Sequence, residues 1–244
     1  MRRRAGRVVL VGAGPGDPGL LTLRAATLIG TADVIVHDGL LGPGIERMLP
    51  REARVVRLRS GPRTHPVRST VRLLASHARK RRLVVRLFVG DPLLFGTGAE
   101  EFEGLRDRGI AAEVVPGVSS ATAAMSARGL RLQALGCEDG IATLPGRHAD
   151  LDWDHAAAFR GNLVVLMGTS RMREITATLV ASGRPRGTAA AVVERATLPE
   201  ARVLQGTLGT IAEKARRARV RSPAILLVGP RKARRHDSRA AEHA

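Results

Sequence analysis

The run Val8 to Pro18, VVLVGAGPGDP, constrains the fold more than any other stretch of these 244 residues. A β-branched apolar run enters a turn built on Gly12, Gly14 and Gly16, and Asp17-Pro18 then opens a helix. A strand feeding a glycine turn and a helix N-terminus places ligand chemistry at the carboxyl end of a sheet. Asp17 is suited to accept from free amides of the first turn, and Pro18 at the first helical position forfeits no needed hydrogen bond. The turn is not a dinucleotide fingerprint, because the third glycine of G-x-G-x-x-G is replaced by Asp17, whose charge would oppose a pyrophosphate. Nor does a Gly-Lys-Ser/Thr ending make it a phosphate loop.

Short β-branched runs alternate with helical patterns along the chain, which predicts α/β architecture with mostly parallel sheets. Strands are expected at Arg7–Val11, Val34–His37, Leu83–Phe88 and Ala112–Val115, then at Ile141–Leu144, Leu163–Met167, Ala189–Val193 and Ala224–Val228. Helices are expected near 18–30, 43–49, 68–80, 98–108, 118–128, 171–182 and 208–218. Pro116-Gly117 is the expected junction between an N-terminal lobe, 7–115, and a C-terminal lobe, 118–230. A basic tail, 231–244, is too poor in apolar residues to join a core and is expected to be disordered.

Composition narrows the function classes. One cysteine, Cys137, excludes an internal disulfide or a multi-cysteine metal site and suits a reducing cytoplasm. No apolar run approaches the roughly 18–20 residues that span a bilayer, so no membrane partner is expected. The net charge of +18 invites nucleic acid, but the excess is dispersed, with +11 lying between residues 8 and 230. With four Phe, one Trp and no Tyr, stacking platforms are poor and nucleic-acid binding is not expected.

Four punctuated turns each follow an expected strand: Gly12–Pro18, His37-Asp38-Gly39, Val89-Gly90-Asp91-Pro92 and Pro116-Gly117-Val118-Ser119-Ser120. In an open α/β sheet such ends share one edge, so distant residues can line one cleft. Asp38, at the end of the second strand, is within the chemistry of a general base, although Asp-Gly is also an ordinary turn former.

At these residues the chain resembles the tetrapyrrole methylase family, and within it the uroporphyrinogen-III C-methyltransferases. The resemblance is carried by VGAGPGDPGLLTLRAATLIGTADVIVHDGLL (11–41), GDPLLFGTGAEE (90–101), GIAAEVVPGVSSATAA (109–124), VVLMG (164–168), AVVERATLPEARVLQGTL (191–208) and SPAILLVG (222–229). It implies a two-lobed fold, a homodimer, and S-adenosylmethionine held in the cleft between lobes. By position it implies cofactor contacts at Pro15, Val89, Gly90, Asp91, Leu94, Ser119, Ser120, Met167 and Ala196. Asp91 is suited to accept from the ribose or amino group, and Met167 offers a soft apolar wall. The implied reaction moves a methyl group from a sulfonium to a pyrrole carbon of uroporphyrinogen III, with Asp38 in the family's base position. Eight carboxylates on that acceptor suit bidentate arginines, for which Arg63, His65, Arg128 and Arg131 are candidates by location.

The chain departs from the family pattern mostly on the acceptor side. Ser60 stands for the usual lysine of Gly-Lys-Arg, Thr97 for an arginine, Gly39 for the arginine after the acid, and Phe88-Val89 for Lys-Gly. Near Gln133 the usual Thr-His-Arg is missing. Val89, bulkier than glycine, is expected to narrow the cofactor site. Two further readings therefore stay open: methyl transfer to another tetrapyrrole, and a cofactor-binding paralogue without catalysis.

Overall fold

The computed structural model describes residues 6–58, 67–80, 82–126, 140–148 and 150–231. Contacts divide the chain into two compact units between Ala123 and Ala124. In the first, β1 (Arg7–Gly12), β2 (Val34–His37), β3 (Arg54–Arg57), β4 (Leu83–Phe88) and β5 (Ala111–Val115) form one sheet in the order β3-β2-β4-β1-β5. Every pairing is parallel. The continuous apolar runs follow from burial on both faces. Val9, Val11, Ile35 and Leu87 pack under α1 (Leu23–Thr31) and α2 (Pro43–Glu46). Val8, Leu10, Val36 and Val84 pack under α3 (Val67–Ala78) and α4 (Gly98–Arg106).

Asp17 does cap the chain's first turn, accepting from Gly19 N at 2.8 Å. That turn is a short 3₁₀ segment, Pro18–Leu20, and α1 begins separately after Thr22, whose hydroxyl accepts from Ala25 N. The single helix expected over 18–30 is thus two pieces, because two successive side-chain caps each start their own turn. Helix α5 (Ser120–Met125) follows β5 and spans the division between units. Pro116-Gly117 lies within the first unit, since Gly117 is pressed against Gly12 and Gly90.

The second unit holds β6 (Ile141–Pro145), β7 (Asn162–Leu166), β8 (Ala189–Glu194), β9 (Arg202–Thr207) and β10 (Ala224–Val228) in the order β6-β7-β10-β8-β9. Helices α6 (Trp153–Ala158), α7 (Met172–Ala181) and α8 (Ile211–Arg217) cover one face through Trp153, Ile175, Leu179 and Ile211. The expectation of a mostly parallel sheet is wrong here. Only β6 and β7 run parallel; β10 is antiparallel to β7 and β8, and β8 to β9. The cause is β9, an edge strand the sequence pattern did not single out. Its return beside β8 reverses the chain, and α8 then carries β10 over in the reversed direction.

Buried Arg184 holds this second unit together at one end. It donates to the carbonyls of Phe159 (2.8 Å), Gly161 (2.7 Å) and Gly229 (2.6 Å), and burial lowers its pKa to about 10. No described helix is long and apolar enough to cross a membrane. The tail expected from residue 231 lies outside the described residues except for Arg231, whose amide donates to Arg160 O at 2.8 Å.

Candidate functional site

The order β2-β4-β1-β5 sets all four punctuated turns side by side along the carboxyl edge of the first sheet. Three of them lock together through backbone. Gly14 and Gly90 exchange hydrogen bonds, N to O at 3.3 Å and 2.8 Å, and Ala13 N donates to Phe88 O at 2.7 Å. A Cβ on Gly12 would lie 2.5 Å from Gly117 N, and one on Gly117 only 2.3 Å from Gly90 O. Backbone this close admits no side chain larger than hydrogen. Gly14 and Gly90 also take positive φ, 67° and 72°, where glycine is unstrained.

Asp91 ties the third turn to the fourth. Its Oδ1 accepts from Leu93 N at 2.9 Å and its Oδ2 from Gly117 N at 3.0 Å. The carboxylate is thereby a brace between turns, and each oxygen keeps a second lone pair for a ligand. Ser119 and Ser120 open α5 beside it, Ser119 Oγ accepting from Ala121 N at 3.1 Å. Pro15 is partly buried within the first turn. Val89 packs, partly buried, against the core cluster under α1.

Asp38 sits at the next place along the edge, partly buried, between buried His37 and Gly39. His37 Nδ1 accepts from Gly39 N at 3.1 Å, so the neutral ring carries its proton on Nε2. Burial pushes the His37 pKa down against the raising effects of Glu46 and Asp38, and Arg57 and Arg86 lower it further. Across the turn Arg57 Nη2 donates to Gly39 O at 3.1 Å. Sequence reasoning named His37 in this turn but not its hydrogen bond to Gly39, and it missed Arg57. The His-Asp-Gly string was the available signal for that bond; nothing in the sequence pairs Arg57 with Gly39.

The edge is unusually apolar for a surface that carries an acid. Leu40 is 60% exposed, Leu93 57% and Leu94 36%. Beneath it, two of the departures from the family pattern find their partners. Buried Arg86 pairs with buried Glu101 at 3.2 Å, Thr97 Oγ1 donates to Glu101 at 2.7 Å, and the Arg86 guanidinium lies 4.2 Å over the Phe88 ring. Phe88 and Thr97 thus complete a buried ion pair, which needs every hydrogen bond it can form.

In the second unit, Met167 and Ala196 lie at one edge of the sheet. Met167 follows β7, is 40% exposed, and takes φ 55°. Ala196 is buried between Arg195 (φ 51°) and Thr197 (φ 73°). Since β7 and β8 are both antiparallel to β10, these residues flank the start of the same strand; Arg195 N donates to Pro223 O at 2.9 Å and Thr169 Oγ1 to Ala224 O at 3.2 Å. Three non-glycine residues in left-handed conformation at one edge mark it as a place where strain is tolerated, a common property of functional sites. Arg63, His65, Arg128 and Arg131 lie outside the described residues, as do Ser60, Gln133 and Cys137.

Known proteins resemble the chain over most of its length. The family model described as Tetrapyrrole (Corrin/Porphyrin) Methylases matches residues 7–212. A uroporphyrinogen-III C-methyltransferase of Pseudomonas aeruginosa is 41% identical over 230 residues, covering 92% of this chain and 94% of that one. A siroheme synthase of Gluconobacter oxydans is 40% identical over 235 residues, covering 93% of this chain but 50% of its own; the chain spans about half the length of such relatives. The crystal structure of a uroporphyrin-III C-methyl transferase of Thermus thermophilus complexed with S-adenyl homocysteine is 38% identical, with a TM-score of 0.78 over 92% of this chain and 97% of that one.

Proposed function

The chain belongs to the tetrapyrrole (corrin/porphyrin) methylases, and on that premise we propose that it methylates carbon atoms of uroporphyrinogen III with S-adenosylmethionine as donor. The observation that carries the reading is the carboxyl edge of the first sheet. There a partly buried acid, Asp38, stands in line with glycine turns too close-packed for side chains and with exposed Leu40, Leu93 and Leu94. An apolar surface beside an acid suits a macrocycle that must lie flat and lose a proton. The relatives named uroporphyrinogen-III C-methyltransferase and siroheme synthase point to the same acceptor.

The residues present fit the donor. In the first unit Leu94 offers an exposed apolar side chain for an adenine, and Ser119, Ser120 and Asp91 offer polar groups for a ribose; in the second unit Met167 is an exposed apolar side chain that the family resemblance assigns to the donor. Pro15, Val89, Gly90 and Ala196 complete the set the family resemblance assigns, chiefly through backbone. When bound, S-adenosylmethionine supplies a methyl group on a positively charged sulfur, ready for displacement by a carbon nucleophile.

What the chain itself contributes is placement and proton handling. The interlocked turns around Gly12, Gly90 and Gly117 cannot shift independently, so the surface they form is preorganised, and preorganisation supplies much of the acceleration in a transfer between two bound molecules. Methyl attachment leaves a surplus proton on the macrocycle, and Asp38, in the base position that the family resemblance assigns, is the acid proposed to take it. Neutral His37 fixes the backbone on one side of the acid by receiving the Gly39 amide. The reading also assigns a homodimer working in the cytoplasm, and acceptor contacts at Arg63, His65, Arg128 and Arg131, all drawn from the family resemblance.

Incubation with S-adenosylmethionine and uroporphyrinogen III, followed by mass analysis, tests the proposal. The wild type is expected to yield methylated product, and Asp38→Asn to lower kcat by about 100-fold or more while S-adenosylhomocysteine still binds in calorimetry. Absence of product from wild type would overturn the acceptor. Absence of S-adenosylhomocysteine binding would overturn the donor, and undiminished turnover by Asp38→Asn the role of the acid.

A further inference from the structure

The acid turn lacks a cation of its own at position 39, yet one reaches it from the neighbouring strand. Gly39 takes φ 76°, and a Cβ there would lie 2.2 Å from Arg57 Nε and 2.8 Å from both Cζ and Nη2. The three atoms nearest to that vacant Cβ position all belong to one guanidinium. Arg57 therefore occupies the volume in which a side chain at 39 would begin. Glycine at 39 leaves room for this placement of Arg57, which a side chain at 39 would push aside.

Arg57 lies on the exposed edge strand β3, paired in parallel to β2 with Arg57 opposite His37. It donates to Gly39 O at 3.1 Å and joins no ion pair among the described residues. An arginine carries five N–H donors in a planar fork that matches a carboxylate bidentately. One contact to the Gly39 carbonyl orients the fork beside the acid turn and leaves other donors for a ligand. An unpaired guanidinium held in place by a backbone carbonyl has already lost much of the freedom that binding would otherwise cost.

We propose that Arg57 is an acceptor-binding, specificity-determining residue: its guanidinium, seated over Gly39, clamps a peripheral carboxylate of the macrocycle next to Asp38. The inference rests on the reading of the acceptor above and goes further by naming a residue that reading leaves out. It also explains how a chain with glycine after the acid keeps a positive charge at that corner. Arg57→Lys keeps the charge but not the fork, so it separates bidentate recognition from simple attraction.

Binding of the unreactive uroporphyrin III, followed by fluorescence, and steady-state methylation of uroporphyrinogen III are measured for wild type, Arg57→Ala and Arg57→Lys, with S-adenosylhomocysteine calorimetry as the control. In Arg57→Ala we expect uroporphyrin III affinity to fall and the acceptor KM to rise by about tenfold or more, kcat to change less, and S-adenosylhomocysteine affinity to stay within about twofold. Arg57→Lys should recover part of the loss. Acceptor affinity unchanged in Arg57→Ala would overturn the proposal, and so would a parallel loss of S-adenosylhomocysteine affinity, which would make Arg57 structural. Wild type that binds uroporphyrin III through Arg57 but forms no product would sink the proposed reaction and leave this inference standing; wild type that binds no uroporphyrin III would sink both.

Discussion

Glycine 39 and arginine 57 show how one missing Cβ can decide what lies beside Asp38. Gly39→Ala pays twice: a left-handed φ for a residue with a side chain, about 1 kcal/mol, and displacement of the guanidinium 2.2 Å away. In an Arg57→Ala background the second cost vanishes. Denaturant unfolding of the two single variants and the double is expected to show a coupling of about 1 kcal/mol. Strict additivity would mean that the guanidinium does not lie over Gly39. His37 belongs to the same corner: neutral and buried, it accepts the Gly39 amide and so holds the opposite side of the turn.

At the scale of elements, the important fact is that turns separated by many residues in sequence are in backbone contact. Gly12 ends β1, Gly90 follows β4 and Gly117 follows β5, and the sheet order makes these strands neighbours. Gly117→Ala places a methyl group 2.3 Å from Gly90 O, where no flexible side chain can yield. It is expected to cost about 3 kcal/mol of stability and to weaken S-adenosylhomocysteine binding, measured by thermal melts with and without the ligand. A variant that melts and binds like wild type would show that the turns can part. Gly30→Ala, with nothing within 4 Å of its added methyl group inside α1, is the matched control and is expected to be neutral or slightly stabilising.

Across the whole molecule, stability should depend on pH through two buried histidines. Burial lowers the pKa of His37, and burial followed by Arg54, Arg82 and Lys80 lowers that of His77. Between those lowered values and the ordinary 6.5, the unfolded chain binds protons that the folded chain refuses. Their contribution is therefore fully present above 6.5 and is lost as pH falls, by at most about 1.4 kcal/mol per histidine for each pH unit. Urea midpoints at pH 7, 6 and 5 should decline, and His77→Gln should flatten part of the decline. A midpoint independent of pH over that range would contradict the assignment of neutral, buried rings.

Local pattern was enough for much of this. The strand–glycine–helix opening, the strands of the first sheet except β3, and the four turns along its carboxyl edge are all legible, because β-branched runs, Gly and Asp-Pro act through the chain's nearest neighbours. Asp38 and Asp91 could be placed in those turns for the same reason. Edge strands β3 and β9 were not legible, since Arg54, Arg57 and Arg202 interrupt their apolar pattern, and missing β9 hid the reversal of the second sheet. Nor could sequence say that Asp91 braces Gly117, that Phe88 and Thr97 serve the Arg86–Glu101 pair, or that Arg57 fills the space over Gly39. Those are contacts between residues brought together by strand order, and strand order is settled by packing two faces of a sheet at once, a choice that no local stretch of chain makes alone.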